Sequence, residues 1–283
     1  MTPLLSVPTA RVRRALGRPS PLRDRVVLVT GASSGIGEAT ARQAAAKGAR
    51  VLLVARRAEE LERVRADIER SGGHARVHVC DLTDLDAVDA LARQVVAEYG
   101  AVDYLVNNAG RSIRRSLSLS YDRFHDVERT MAVNYLAPVR LTMGLLPAMR
   151  RQRFGHVVNI VTWGVTLKAP KFSAYIASKT ALDAWSRVAA RETYRDNVTF
   201  TNMRFSLVQT PMTAPTESYR GRGETADHAA AKVVRALEER PLTVSTLAGR
   251  LGAAGELVAP QLLELGFALL DRLTPDSAAA RRR

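Results

Sequence analysis

Short apolar runs alternate with stretches of helical periodicity from Arg25 onward, and few folds can accept such a pattern. Arg25–Thr30 (RVVLVT) and Arg50–Ala55 (RVLLVA) are apolar throughout, as strands buried on both faces must be. Further strands are expected at Arg76–Cys80, Asp103–Val106, His156–Val161 and Val198–Arg204. Between them lie helical stretches at Gly35–Lys47, Ala58–Arg70, Asp84–Tyr99, Asp122–Met149 and Ser173–Tyr194. Alternating strands and helices imply right-handed crossovers. The expected fold is therefore α/β: one doubly wound Rossmann-type domain over 22–245, with a parallel sheet of about seven strands and helices on both faces. A basic arm over 1–21 precedes it and a helical extension with a tail over 246–283 follows. No repeat at a solenoid period is visible.

Charge narrows the function classes. The chain of 283 residues carries 42 Lys+Arg against 28 Asp+Glu, a net +14. The excess is nearly all Arg and is spread along the chain, whereas a nucleic-acid surface gathers cations on one element beside aromatics. No nucleic-acid partner is expected. The densest cluster, Arg11, Arg13, Arg14 and Arg18, lies in the Pro-punctuated arm, which lacks the apolar core of a signal peptide. A single cysteine, Cys80, excludes an internal disulfide, and no apolar run reaches the roughly 18 residues of a membrane span. A cytoplasmic location is expected. The five histidines show no metal-ligand spacing, so no metal site is expected.

Glycines between the first strand and first helix give the first chemistry. In Thr30-Gly31-Ala32-Ser33-Ser34-Gly35-Ile36-Gly37, Gly31 suits a tight turn, Gly35 lets a ligand approach backbone, and Gly37 allows close helix–strand packing. The N-terminus of the next helix suits a pyrophosphate. Where an NAD enzyme places an acid after the second strand, this chain has Ala55, then Arg56 and Arg57. Guanidinium groups pair with phosphate, which favours NADP; the alternative is a solvated helix start. Tyr175 and Lys179, four apart on a helix, share one face. An ammonium there would lower the phenol from its reference value of about 10.

Taken with Asn107-Asn108-Ala109-Gly110 and Tyr175-Ile176-Ala177-Ser178-Lys179, the glycine segment resembles the short-chain dehydrogenase/reductases in motif order and spacing. The resemblance implies an NAD(P)-binding oxidoreductase. Tyr175 would be its general acid in reduction, and Lys179 the tuner of Tyr175 and a ribose ligand. Asn134 would support a proton-relay water, unless it makes only a local helix bond. The family's usual Ser falls thirteen positions before the Tyr, at Thr162, within Val161-Thr162-Trp163-Gly164. Thr keeps the hydroxyl and adds a methyl. By the same resemblance Ser33, Ser34, Ile36, Asn108, Ala109 and Gly110 line the dinucleotide site. Asp81 and Leu82 meet adenine, while Val208 and Thr210 meet the nicotinamide end.

Asn107–Met149 and Leu273–Arg281 resemble the reductase domain of bacterial fatty acyl-CoA reductases. That implies an NADPH-dependent reduction of a lipophilic carbonyl, with long-chain acyl-CoA going to aldehyde. The extra N-terminal domain some of those enzymes carry is not expected here. The alternatives are a ketone or 3-oxoacyl reductase forming an alcohol and, more remotely, a non-catalytic NADP-binding sensor. Arg111, Arg114 and Arg115 would meet CoA phosphates or form a solvated loop. Loop 214–224 would be a lid. The apolar stretch after Gly255 would pack within the protein, against a second subunit or on a membrane surface, the first being favoured. The long helices resemble those that pair family subunits, so a homo-oligomer is expected.

Overall fold

The computed structural model describes residues 16–281 apart from 215, 217, 218 and 220, so Arg11, Arg13 and Arg14 of the arm lie outside the described residues, as do parts of loop 214–224. Its first half alternates β1 (Val26–Thr30), α1 (Gly35–Ala46), β2 (Arg50–Ala55), α2 (Ala58–Arg70), β3 (His74–Val79), α3 (Leu85–Tyr99) and β4 (Tyr104–Asn107). The second half holds α4 (Phe124–Met131), a π-helical turn (Ala132–Leu136), α5 (Ala137–Arg151), β5 (Gly155–Thr162), the short α6 (Gly164–Leu167), α7 (Ser173–Glu192) and β6 (Val198–Phe205). There follow β7 (Val208–Gln209), β8 (Glu224–Thr225), α8 (Ala226–Glu239), β9 (Thr243–Ser245), α9 (Leu247–Val258), α10 (Pro260–Leu273) and α11 (Ala278–Arg281). Seven strands form one parallel sheet in the order β3-β2-β1-β4-β5-β6-β9. This is the doubly wound α/β sheet that the alternation predicts.

Strand parity explains why the β1 and β2 sequences are apolar throughout. Val27, Val29, Val51 and Leu53 pack with Ala41, Ala44, Leu61, Val64, Val233 and Leu237 of α1, α2 and α8. Val26, Leu28, Leu52 and Val54 pack on the opposite face with Val88, Leu91, Leu141, Leu145 and Ala189 of α3, α5 and α7. Strand order reverses between β1 and β4, and in such sheets ligands bind beyond the carboxyl ends at that switch. An asparagine ladder pins the strands on the β4 side. Asn107 Nδ2 donates to Asn159 Oδ1 at 2.9 Å, and Asn159 Nδ2 to Asn202 Oδ1 at 3.1 Å, in sheet register.

Three features differ from the expectation. The helix read as Asp122–Met149 is interrupted by the π turn that carries Asn134. The small β7–β8 pair ties the two ends of loop 214–224 together. The apolar stretch after Gly255 does not pack into the core: α10 has no buried residue, and Leu257, Leu262, Leu265, Leu269 and Leu273 are exposed. Its helix–helix contacts are made chiefly with α9. Among the described residues no helix is long and apolar enough to cross a membrane.

Candidate active site

Beyond Thr30 the chain turns at Gly31, whose φ is +66°. A Cβ there would lie 2.8 Å from Asn108 Nδ2 and 2.9 Å from Ala109 Cα. At Gly37 a Cβ would stand 2.3 Å from the Gly31 carbonyl oxygen, so α1 can lie against β1 only without one. Gly35 packs beneath Thr210, its absent Cβ 3.1 Å from Thr210 Cγ2. Extended Ser34 precedes α1 and makes no side-chain cap, which leaves first-turn N–H groups for an anion. Thr30 stitches the two switch-point loops: its Oγ1 accepts from the N–H groups of Asn108 and Ala109, both at 3.0 Å. Asn108 Nδ2 donates back to the Thr30 carbonyl at 2.9 Å.

At the end of β2 the two arginines separate. Arg57 Nη2 donates to Ser33 Oγ at 2.9 Å and Ser34 Oγ at 3.1 Å, on the rim of the glycine turn. Arg56 is exposed and approaches Asp81 Oδ2 at 3.8 Å. Asp81 accepts from the N–H and hydroxyl of Thr83, both at 2.9 Å. The Thr83 N–H above all, with Arg56 beside it, holds this carboxyl below its ordinary range. Leu82 is buried next to it.

Thr162 at the end of β5 and Tyr175 in the first turn of α7 line the same cavity. The Gly164 N–H donates to Thr162 Oγ1 at 3.2 Å, which directs the threonine proton elsewhere. Burial pushes the Tyr175 phenol up to about 12, and the nearby Thr162 hydroxyl works the other way. Burial sets the direction, and the lowering expected from Lys179 is absent. One turn on, Lys179 is buried, donates to the Ile160 carbonyl at 2.8 Å, and is pulled down to about 8 by desolvation. Asn134 makes no local helix bond. Its Oδ1 accepts from the Arg111 N–H at 2.9 Å, and its Nδ2 donates to the Arg111 carbonyl and to Ser178 Oγ, each at 2.9 Å. Ser178 Oγ in turn donates to the Tyr175 carbonyl at 2.7 Å.

A cavity of about 480 Å³ brings these groups together. Its wall includes Gly31, Ser33, Ser34, Gly35, Ile36, Arg56, Arg57, Asp81, Leu82, Asn108, Ala109, Gly110, Thr162, Tyr175, Lys179, Val208 and Thr210. Gly37 and Asn134 lie behind the wall and shape it. Sequence reasoning missed Thr30 and Ser178, both inside the quoted motifs, and Arg129 and Val133, which no local pattern marks. Of the three arginines after Gly110 only Arg111 lines the cavity. Arg115 is buried in an ion pair with Asp126 and donates to the Ala280 carbonyl, and Arg114 donates to that of Pro275. These contacts tie the loop after β4 to the C-terminal segment. Among the described residues no cluster of His, Cys, Asp or Glu could hold a metal ion.

The arrangement fits a dinucleotide: a glycine turn that no Cβ fits, an uncapped helix start, and a hydroxyl–phenol–ammonium set at the far end. Comparison with known proteins agrees. The family model for short chain dehydrogenases matches residues 25–221. A fatty acyl-CoA reductase of Acinetobacter baylyi is 46% identical over 92% of this chain and 88% of its own. A fatty acyl-CoA reductase of Mycobacterium tuberculosis is 45% identical over 87% of this chain and 84% of its own. Among solved structures, a short-chain dehydrogenase from Streptomyces avermitilis superposes with a TM-score of 0.75 at 31% identity, covering 89% of this chain and all of that one. A metagenomic short-chain oxidoreductase in complex with NADP gives 0.69 at 33% identity, covering 80% and 97%. An NADP-bound 3-oxoacyl-(acyl-carrier-protein) reductase from Agrobacterium tumefaciens gives 0.71 at 29% identity, covering 77% and 88%. The chain belongs to the short-chain dehydrogenase/reductase family of NAD(P)-using oxidoreductases.

Proposed function

We propose that residues 22–245 form an NADPH-dependent reductase of lipophilic carbonyls, and that the favoured reaction takes a long-chain fatty acyl-CoA to its aldehyde. The observation that carries the reading is the placement of Thr162, Tyr175 and Lys179 in one cavity whose other end is guarded by Arg57. Arg57, bonded to Ser33 and Ser34, is the group to receive a ribose phosphate, and the position where NAD enzymes carry an acid is Ala55. Bound NADPH supplies the hydride. Thr162 orients the carbonyl through its hydroxyl, and Tyr175 gives its proton to the oxygen as negative charge develops there. The Lys179 ammonium stabilises the phenolate left behind. Asn134 and Ser178 hold the loop after β4 against the turn bearing Tyr175.

In balance, acyl-CoA, NADPH and a proton give aldehyde, free CoA thiol and NADP+; the carbonyl carbon gains the hydride, the thioester C–S bond breaks, and the proton Tyr175 gave the oxygen leaves it as the departing thiolate takes one up. The two fatty acyl-CoA reductases at 46% and 45% identity support this substrate. Likeness to the 3-oxoacyl reductase favours the second reading, in which the oxygen keeps the Tyr175 proton and an alcohol is released. NADPH oxidation with acyl-CoAs of increasing length, 3-oxoacyl thioesters and ketones decides between them. The expected result is aldehyde release, with kcat/KM rising along the chain by up to about 0.8 kcal/mol per buried methylene. Turnover of 3-oxoacyl substrates alone would overturn it in favour of the second.

A further inference from the structure

The α9–α10 pair is joined by Ala259 alone and held to the rest of the protein along one side. Small residues allow the close approach: Gly252 abuts Leu167 of α6 on that side, and Gly255 lies beside Leu263 of α10 within the pair. Lys168 pairs with Glu256, and Lys171 bonds Asp271 at 2.8 Å and the Thr274 carbonyl at 2.6 Å. The opposite sides are apolar and unpartnered. Leu247, Leu251, Ala254 and Val258 recur at helical spacing along α9, and Leu262, Leu265, Leu269 and Leu273 along α10, all exposed. Exposure peaks at the joint, 86% for Leu257 and 84% for Val258. Scattered surface leucines need no explanation, but two continuous stripes meeting at a tip mark an interaction surface.

The charges around the stripes say what fits. Glu256 and Asp271 are neutralised by Lys168 and Lys171. Arg250 and Arg272 are exposed and have no acid at ion-pair distance among the described residues, against one such acid in the pair, Glu264. Arg250 stands near the start of α9 and Arg272 near the end of α10, where long stems can lie along leucines while guanidinium groups reach outward. The whole chain is +14. A second copy on this surface would set these arginines against their like, whereas an anionic bilayer accepts both the leucines and the cations. Helices of 12 and 14 residues are too short to span and suited to lie at the interface. From this we infer that the α9–α10 pair is a docking surface for an anionic phospholipid bilayer. The inference does not depend on the substrate. It places the bilayer on the side of the fold where α6 leaves Thr162.

The test is co-sedimentation of the full chain with phosphatidylcholine vesicles and with mixed phosphatidylcholine–phosphatidylglycerol vesicles. Binding should require the anionic lipid. Leu257→Glu with Val258→Glu should lower it at least about tenfold, and neutralising Arg250→Gln or Arg272→Gln about fivefold each. NADPH affinity and solution mass should stay unchanged in every variant. Because the arginine variants keep the leucines, they test the surface even if the paired glutamates disturb folding. Equal binding to both vesicle types, or to neither, would overturn the inference. So would a drop in solution mass in the glutamate variant, which would assign the leucines to a second copy.

Discussion

Lys179 is a cation held where a cation is costly, and that cost identifies the role we propose for it: a lysine needed only for packing would be replaced by an apolar side chain without penalty. Tyr175, pushed up to about 12, stays protonated throughout the neutral range and suits proton donation in the reduction direction. Arg56 and Arg57, equivalent as letters, part in space. Arg57→Ala should therefore remove most of the preference for NADPH over NADH, about 1.5–3 kcal/mol of charge-assisted contact, and Arg56→Ala much less. Fluorescence titration of both cofactors checks it, and a larger loss at Arg56 would contradict the assignment. At Thr162 the hydroxyl oxygen already accepts from the Gly164 N–H. Thr162→Ser should keep activity, whereas Thr162→Val, of the same shape, should lose roughly 10²–10³ in rate. Steady-state kinetics on the pair decide whether the hydroxyl or the methyl matters.

Helix α1 depends on its glycines through backbone contact rather than side-chain packing. With a Cβ 2.3 Å from a carbonyl oxygen, Gly37→Ala must push α1 off β1. A loss of about 1–3 kcal/mol of stability is expected, read as a lower thermal midpoint together with weakened NADPH binding. An unchanged midpoint would mean that α1 tolerates displacement. This contact was legible in the sequence, because three glycines between an apolar run and a helix have few other uses. The strands were legible for a similar reason: β1 and β2, buried on both faces, must be apolar at every position. The π turn was not, since Met131-Ala132-Val133-Asn134-Tyr135 keeps ordinary helical periodicity and only the pull of Arg111 and Ser178 on Asn134 reveals it. Nor were β7 and β8, two residues each, or the outward faces of α9 and α10, because a leucine-rich helix reads the same whether its leucines find a core or not.

Across the molecule, the parallel sheet brings motifs more than a hundred residues apart to one edge, and the Asn107–Asn159–Asn202 ladder fixes the strands from which they project. At the opposite end His156 is fully buried between Thr199 and Thr201 and, chiefly through desolvation, is pulled down to about 3. Above pH about 6.5 it is neutral folded or unfolded. As pH falls from there toward 3 the unfolded chain takes up a proton that the folded one refuses, so stability drops by up to about 1.4 kcal/mol per pH unit. Denaturant titrations across that range should show this slope in the parent and a flatter one in His156→Asn; equal slopes would exclude His156 as its source. The central claim, that this fold assembles a proton donor beside a cofactor cradle to reduce a lipophilic carbonyl, rests on Tyr175. Its most direct test is turnover of a long-chain acyl-CoA with NADPH by Tyr175→Phe, with NADPH affinity measured on the same preparation. The account predicts a fall of about 10²–10⁴ in turnover with affinity nearly unchanged; near-normal turnover in the variant, with chemistry rate-limiting, would contradict it.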